Sequence, residues 1–119
     1  MTCKDTTTAI GRRAEDAAAR HLEAAGVTLL ERNFRCRGGE IDLIGRAGKT
    51  LLFIEVRLRR NGSYGGAAAS ITPAKQARII LAARHYLATR TCGEPDCRFD
   101  AVLIDGARMD WLKDAFSAG

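Results

Sequence analysis

The sequence predicts an α/β fold in which helices flank a mixed central sheet. The elements come in the order helix, three strands, helix and strand. A short turn joins the second and third strands, which is typical of an antiparallel hairpin. A helix then leads to the fourth strand, as a crossover within one sheet requires. With 119 residues, 46% of them hydrophobic and 28% charged, the chain is expected to form one domain, with a core over about residues 8–105 and a terminal tail over 106–119.

The first helix is predicted to begin at one of the threonines at 6–8, each of which could serve as an N-cap, and to run to about residue 25. Gly26 follows as the residue that ends it. Glu15 lies in the row beside the buried stripe and is aimed towards the sheet, whereas Asp16 points to solvent. The stripe itself recurs at helical spacing and comprises Ile10, Ala14, Ala17, His21 and Ala25.

Three strands are predicted next, at residues 27–34, 39–46 and 50–58. A second helix begins with Thr72 as its N-cap and Pro73 in its first turn, and it runs to about residue 89. Its buried face is predicted to contain Gln76, Ile80, Ala83 and Leu87. A last strand covers residues 98–104, and the tail beyond it is either a strand or a helix. His21, Tyr86 and Trp111 are expected in the core.

Charge and cysteine usage bound the class of protein. The net charge is +5, and arginine supplies most of the positive charge, with fifteen arginines against four lysines. This excess fits a polyanionic partner, and it equally fits a GC-rich genome. The scattered cysteines do not match zinc-ligand spacing, so no zinc is expected. We find no run of about 18 apolar residues and no secretory signal, so a cytoplasmic protein without a membrane partner is expected.

Charged residues interrupt the apolar run LLFIEVRLRR at residues 51–60. Side chains alternate along a strand, so Glu55 and Arg57 should share one face with Phe53, and the even-numbered residues should form the core on the other. Charges in such a strand are costly unless they are paired or bind an ion. The run therefore predicts a functional or ion-paired face.

The preceding strand brings further carboxylates to that face. Glu40 and Asp42 should share it, with Ile41 and Leu43 on the opposite face. A two-residue loop at 47–48 would place Glu40 opposite Glu55 and Asp42 diagonal to it. Carboxylates this close cannot all stay ionised without a compensating cation, which is either an arginine or a divalent metal. Oxygen-only ligands favour Mg²⁺ or Mn²⁺, and such a site suits phosphodiester hydrolysis.

These residues resemble the signature of the restriction-endonuclease-like nucleases, D-(x)n-E-x-[K] on adjacent strands with a preceding helical Glu. Asp42, Glu55 and Arg57 occupy its three positions, and Glu15 occupies the helical one. More specifically, the chain is similar to the YraN family of bacterial proteins. The similarity covers about residues 10–117 and is carried by GRRAED, RNFRCRGGEIDLI, FIEVRLRR, KQARIILAARHYL and RFDAVLI.

The resemblance implies a restriction-endonuclease-like αβββαβ core, related to Holliday-junction resolvases. It implies a metal-dependent endonuclease that acts on structured DNA, with Asp42, Glu55 and Glu15 as the metal ligands. Arg57 departs from the motif, because lysine is usual there and a guanidinium cannot act as a general base. The alternative is a catalytically impaired nucleic-acid-binding module of the same fold. A homodimer is compatible with the resemblance, because such folds usually need two sites to cut two strands.

Basic residues outside the motif are candidates for contacts with nucleic acid. Lys75 and Gln76 lie in the first turn of the second helix, where its N-terminus would assist phosphate binding. The arginines near strand ends form either a solvated rim or a phosphate-tracking surface. The glycine-rich stretch at 61–66 is expected to be a lid. The residues assigned to nucleic-acid binding are Arg37, Arg59, Arg60, Lys75 and Gln76.

Overall fold

The computed structural model describes residues 5–58 and 71–118, and the side chains of residues 5–8 lie outside that description. Within this part of the chain the elements follow the predicted order. They are α1 (Asp5–Ala24), β1 (Thr28–Cys36), β2 (Gly39–Ala47), β3 (Thr50–Leu58), α2 (Pro73–Arg90), β4 (Asp96–Asp105) and β5 (Arg108–Phe116). The αβββαβ core is therefore confirmed, and the tail that the sequence left open forms a fifth strand.

The five strands form one mixed sheet in the order β1-β2-β3-β4-β5. All neighbouring pairs are antiparallel except β3 and β4, which are parallel because α2 carries the chain back between them. Neither helix in the described residues is long and apolar enough to cross a membrane.

The sheet separates two hydrophobic cores, because successive side chains of β3 point to opposite faces. On one face Leu52 and Ile54 pack with Leu22 of α1. On the other face Phe53 packs with Ile79 and Tyr86 of α2. Each helix thus covers one face of the sheet, and β3 is buried on both.

The prediction for α1 was wrong in two respects. The helix begins at Asp5, so the threonines at 6–8 lie inside it rather than at its N-cap. Its buried residues are Ala14, Ala18, Ala19 and Leu22, whereas His21 and Ile10 are exposed. The predicted stripe was displaced by about one row, because alanine is too small and too frequent here to mark a face, and Leu22 decides which row packs. Gly26 ends the helix as predicted, with φ of +99°.

The start of α2 matches the prediction, and its buried face does not. Thr72 is the N-cap, and its hydroxyl accepts a hydrogen bond from the Lys75 N–H at 3.1 Å. The buried residues are Ile79, Ala82, Ala83 and Tyr86, so only Ala83 of the predicted face is buried. Packing against aromatic rings fixes this rotation: the Tyr86 ring meets those of Phe34 and Phe53 edge to face, with centroids 5.2 and 6.1 Å apart.

The hairpin between β2 and β3 closes with Gly48 and Lys49, because Ala47 pairs with Thr50. The predicted loop at 47–48 was wrong by one residue, which shifts the register by two. Gly48 takes φ of +61° at the first loop position, a conformation that glycine adopts without steric cost. The loop still has an even number of residues, and extending the observed register puts Asp42 directly across from Glu55 rather than diagonal to it.

Candidate active site

The regular alternation of β1 and β2 breaks where Asn33 and Asp42 face each other. The observed pairs on either side are Arg32 with Leu43 and Phe34 with Ile41. Leu43 packs in the α1 core, yet Ile41 packs in the α2 core, so the prediction that they share a face was wrong. The physical reason is Asn33, whose φ of +54° turns the strand. Non-glycine residues held in this region are uncommon and cluster at functional sites.

Asp42 contacts β3 next to this break. The ladder between β2 and β3 ends at the pair Leu43 and Ile54. Beyond it the Asp42 carboxylate accepts a hydrogen bond from the Val56 N–H at 2.9 Å, in place of a backbone carbonyl. A side chain therefore occupies the point where the two strands separate.

Glu55 lies beside Asp42 and is only 3% exposed. The two carboxyl groups are close enough to share a proton in a hydrogen bond. Burial raises the pKa of Glu55 to about 8; the Asp42 charge adds to this, and Lys75 and Arg57 oppose it. Burial also raises the pKa of Asp42, while the hydrogen bond from Val56 N–H opposes that change. The pair thus resists full ionisation.

Two cations contact the carboxylates from different elements. Lys75, from the first turn of α2, places Nζ 3.7 Å from Glu55 Oε2 and 3.4 Å from Glu40 Oε2. Arg57 Nη1 lies 3.6 Å from the same oxygen of Glu55. A third and more exposed cation, Arg35, places Nε 4.0 Å from Glu40 Oε1. Side chains therefore supply as many positive charges as the three carboxylates of the site would carry negative ones.

The ion pairs to Glu55 are made by one of its two oxygens, Oε2. Glu55 Oε1 is buried and has no hydrogen-bond partner within the described residues. Burying a carboxylate oxygen without a donor is costly, and a proton or a bound cation at this oxygen would offset that cost. The donor set at this point consists of carboxylate oxygens, which fits Mg²⁺ or Mn²⁺.

Glu15 approaches from α1 without joining the pair. Its Oε1 accepts a hydrogen bond from the Asn33 side-chain amide at 3.1 Å. Burial raises its pKa, and the Asp42 charge contributes. Residues 9–58 and 71–118 contain no group of three His, Cys, Asp or Glu side chains that converges on one ion position. Asp42 and Glu55 are the residues that could hold a metal here, and Glu15 as a third ligand stays a prediction.

Comparison with known proteins gives the family. The model of the uncharacterised protein family UPF0102 matches residues 14–104, from α1 to the end of β4. The chain belongs to the UPF0102 (YraN) family. It is 63% identical over 116 residues to a UPF0102 protein of Dechloromonas aromatica, covering 96% of this chain and 93% of that one. It is 56% identical over 120 residues to one of Paracidovorax citrulli, covering 98% and 88%. These names identify the family alone.

The described residues that were predicted to bind nucleic acid do not form one cluster in the UPF0102 chain. Arg37 is exposed at the turn between β1 and β2. Gln76 donates from its side chain to the Ile71 carbonyl at 2.9 Å and so supports the start of α2. Lys75 lies in the carboxylate site rather than at the surface. Arg59, Arg60 and the glycine-rich stretch at 61–66 lie outside the described residues.

Sequence reasoning missed Asp100, a fully buried charge in the UPF0102 fold. Its carboxylate accepts hydrogen bonds from the Arg98 guanidinium, from Trp111 Nε1 at 2.9 Å and from the Asp114 N–H at 2.9 Å. Trp111 is half-buried and packs against the α1 core, with its indole nitrogen on this carboxylate. The signal was present in RFDAVLI, where a charge interrupts an apolar strand as Glu55 does.

Proposed function

We propose that this UPF0102 protein is a metal-dependent endonuclease that hydrolyses phosphodiester bonds in structured DNA. The observation that carries the proposal is Glu55 Oε1, a buried carboxylate oxygen that has no donor among the described residues, beside the Asp42 carboxylate. An ordinary ion-paired surface would not bury an oxygen in this way, because water or a cationic side chain would solvate it. The resemblance of Asp42, Glu55 and Glu15 to the nuclease signature supports the same chemistry.

Each side chain has a role that follows from its position. Asp42 and Glu55 would hold Mg²⁺ or Mn²⁺, and the hydrogen bond from the Val56 N–H keeps Asp42 in place. A bound ion would supply the Lewis-acid charge that phosphodiester hydrolysis needs. The Arg57 side chain is 39% exposed, so its guanidinium can reach a phosphate while it remains 3.6 Å from Glu55.

Lys75 compensates for the departure at position 57. The nuclease motif carries lysine there, and Arg57 cannot give up a proton. Lys75 brings an ammonium group to within 3.7 Å of the same Glu55 oxygen from α2. Its ammonium group would donate a proton to the leaving oxygen, as general acid catalysis requires.

Two variants separate the charge of Lys75 from proton transfer. Lys75→Arg keeps the positive charge and Lys75→Ala removes it. If Lys75 carries a proton, both should lower the cleavage rate by on the order of 100-fold or more. Cleavage that survives Lys75→Arg and is lost in Lys75→Ala would show that charge alone matters.

Charge favours a nucleic acid as the substrate, and the resemblance favours DNA. The net charge of +5 and the excess of arginine fit a phosphate backbone. The similarity to junction resolvases extends the proposal to branched DNA.

The test is cleavage of branched and duplex DNA in Mg²⁺ or Mn²⁺. Glu55→Gln and Asp42→Asn keep the shape of each side chain and remove its charge. Each should lower cleavage by on the order of 100-fold or more. Glu94→Gln, at an exposed loop position, is the matched control and should cut as wild type does. No cleavage by wild type, or cleavage that survives both changes, would refute the enzyme.

A second candidate is a nucleic-acid-binding module that has lost the chemistry. The observation in its favour is that Lys75 and Arg57 already contact Glu55, and that the described residues offer no third converging ligand. This candidate requires DNA binding that weakens steeply with salt and does not change with Mn²⁺. Calorimetric titration with Mn²⁺ separates the two candidates, because the endonuclease requires binding that Glu55→Gln removes.

A further inference from the structure

A polar pocket of about 230 Å³ opens between α1 and β1, next to the carboxylate site. Glu15 connects the pocket with the carboxylate site, since it lines the pocket and the Asp42 charge helps to raise the pKa of its carboxyl group. The volume is below that of pockets for drug-sized ligands, and the lining is mostly polar, so an apolar ligand does not fit. The residues that line it are Gly11, Arg12, Glu15, Asn33 and Arg35.

Two guanidinium groups in this pocket are available to a ligand. Arg12 is exposed and makes no ion pair with any side chain among residues 9–58 and 71–118. The Arg35 side chain is 73% exposed and has only a 4.0 Å contact with Glu40. Arg32 differs, because Asp16 holds it at 2.6 Å and it does not line the pocket. Two positive charges therefore stand against the single carboxylate of Glu15.

The two remaining residues of the lining, Asn33 and Gly11, contribute a hydrogen-bond donor and free volume. Asn33 uses one side-chain N–H for Glu15, and an amide has a second N–H to offer. Gly11 leaves the helix wall open, because a Cβ placed there would meet no atom within 4 Å. Guanidinium groups pair with phosphate through two parallel hydrogen bonds, and an amide N–H adds a third.

We propose that this pocket binds a backbone phosphate of the nucleic-acid strand that crosses the carboxylate site. The assignment rests on the proposed function, since it takes the strand to be the substrate. This assignment means that the nucleic-acid strand runs from the Asp42 and Glu55 pair towards Gly11 on α1. Arg12 and Arg35 are binding residues in this scheme, at some distance from the reacting bond.

Binding of fluorescent branched, duplex and single-stranded DNA, in EDTA so that no cleavage occurs, tests the pocket. The double variant Arg12→Ala, Arg35→Ala should bind about tenfold more weakly. Its slope of log affinity against log salt should fall by about 1 for each phosphate that the variant no longer neutralises. Gly11→Leu should weaken binding by filling the pocket, without any change of charge. Arg84→Ala, on exposed α2 surface, is the control and should bind as wild type does.

The outcomes separate this proposal from the endonuclease. Weaker binding in the double variant and in Gly11→Leu supports the pocket, even if wild type never cuts DNA. If the double variant keeps the affinity and the salt slope of wild type, the pocket does not bind a phosphate of the strand. The proposed endonuclease activity is still supported in that case if cleavage requires Glu55. No DNA binding by wild type overturns both. A final experiment is titration with inorganic phosphate. If phosphate binding requires Arg12 while DNA binding does not, the pocket binds a small anion, and the proposal that it binds a phosphate of the DNA strand is refuted.

Discussion

Glu55→Gln replaces the buried carboxyl group by a neutral amide of the same size and shape. The substitution removes one titrating group and leaves the strand and both cores in place. Because folding raises the pKa of Glu55 to about 8, wild type must either keep the proton or bury a negative charge as the pH rises. The variant has neither requirement. We therefore expect the two proteins to differ in how their stability depends on pH.

The sign and size of the difference follow from the pKa. A carboxyl group whose pKa is raised by folding stabilises the fold while it is protonated, and this contribution is lost as the pH rises from about 4.5 to about 8. Each pKa unit is worth about 1.4 kcal/mol, so the full loss is at most about 5 kcal/mol. Between about pH 5 and about pH 7 it amounts to about 3 kcal/mol, or about 10 °C in Tm. The value of about 8 already includes the opposing effect of Lys75 and Arg57.

Urea unfolding at a series of pH values in EDTA measures the effect. Wild type should lose about 3 kcal/mol of unfolding free energy over that range, and Glu55→Gln should lose much less. The two proteins should be nearly equal near pH 4.5, and the variant should be the more stable at neutral pH. Both histidines are present in both proteins, so their titration cancels in the difference. Glu94→Gln should follow the wild-type curve.

Parallel curves for wild type and Glu55→Gln would refute the reasoning, because Glu55 would then not be the group that titrates. Addition of Mn²⁺ provides an independent check at about pH 8. A metal that binds only the folded protein stabilises it by about 2.7 kcal/mol at a hundredfold excess over Kd. This gain should appear in wild type and vanish in Glu55→Gln.

Three further changes test other parts of the molecule. Asp100→Ala removes the carboxylate that accepts from Trp111 and should lower the unfolding free energy in urea by about 3 kcal/mol, so a loss below about 1 kcal/mol would contradict the buried network. Asn33→Ala should be about 1 kcal/mol less stable than Asn33→Gly, because residue 33 has φ of +54°, and equal Tm values would argue against this strain. Gly39→Ala should cost about 2 kcal/mol, since its Cβ would lie 2.5 Å from the Arg78 carbonyl oxygen; unchanged thermal stability would disprove that contact.

Local signals account for the parts of the fold that could be predicted. β3 was predicted at its observed bounds, because an apolar run follows a turn and both are visible in the sequence. Thr72 and Pro73 mark the start of α2 by their own chemistry. The buried face of α1 could not be read in this way, since an alanine-rich helix offers several similar stripes. Packing of Leu22 against the sheet selects one of them, and that contact is tertiary.

The proximity of the two central carboxylates could be predicted, and their functional role stays a prediction. Alternation along the strands placed Asp42 and Glu55 on one face, and the observed register brings Asp42 directly across from Glu55 rather than diagonal to it. The sequence did not determine which two residues form the hairpin loop, because residues 47–48 and 48–49 both give a loop with an even number of residues. Lys75 meets Glu40 across 35 positions of sequence, a separation that no local pattern can connect.

Bulges at both edges of the sheet bear on how copies of this protein can associate. β1 has an irregularity between Leu29 and Glu31, and β4 has one between Phe99 and Ala101 where β5 pairs with it. Bulged edges bend away from a straight partner strand and are a known protection against edge-to-edge pairing. If two copies of this chain associate, contact through side chains of a helix or a loop is favoured, and a continuous ten-stranded sheet across the two copies is disfavoured.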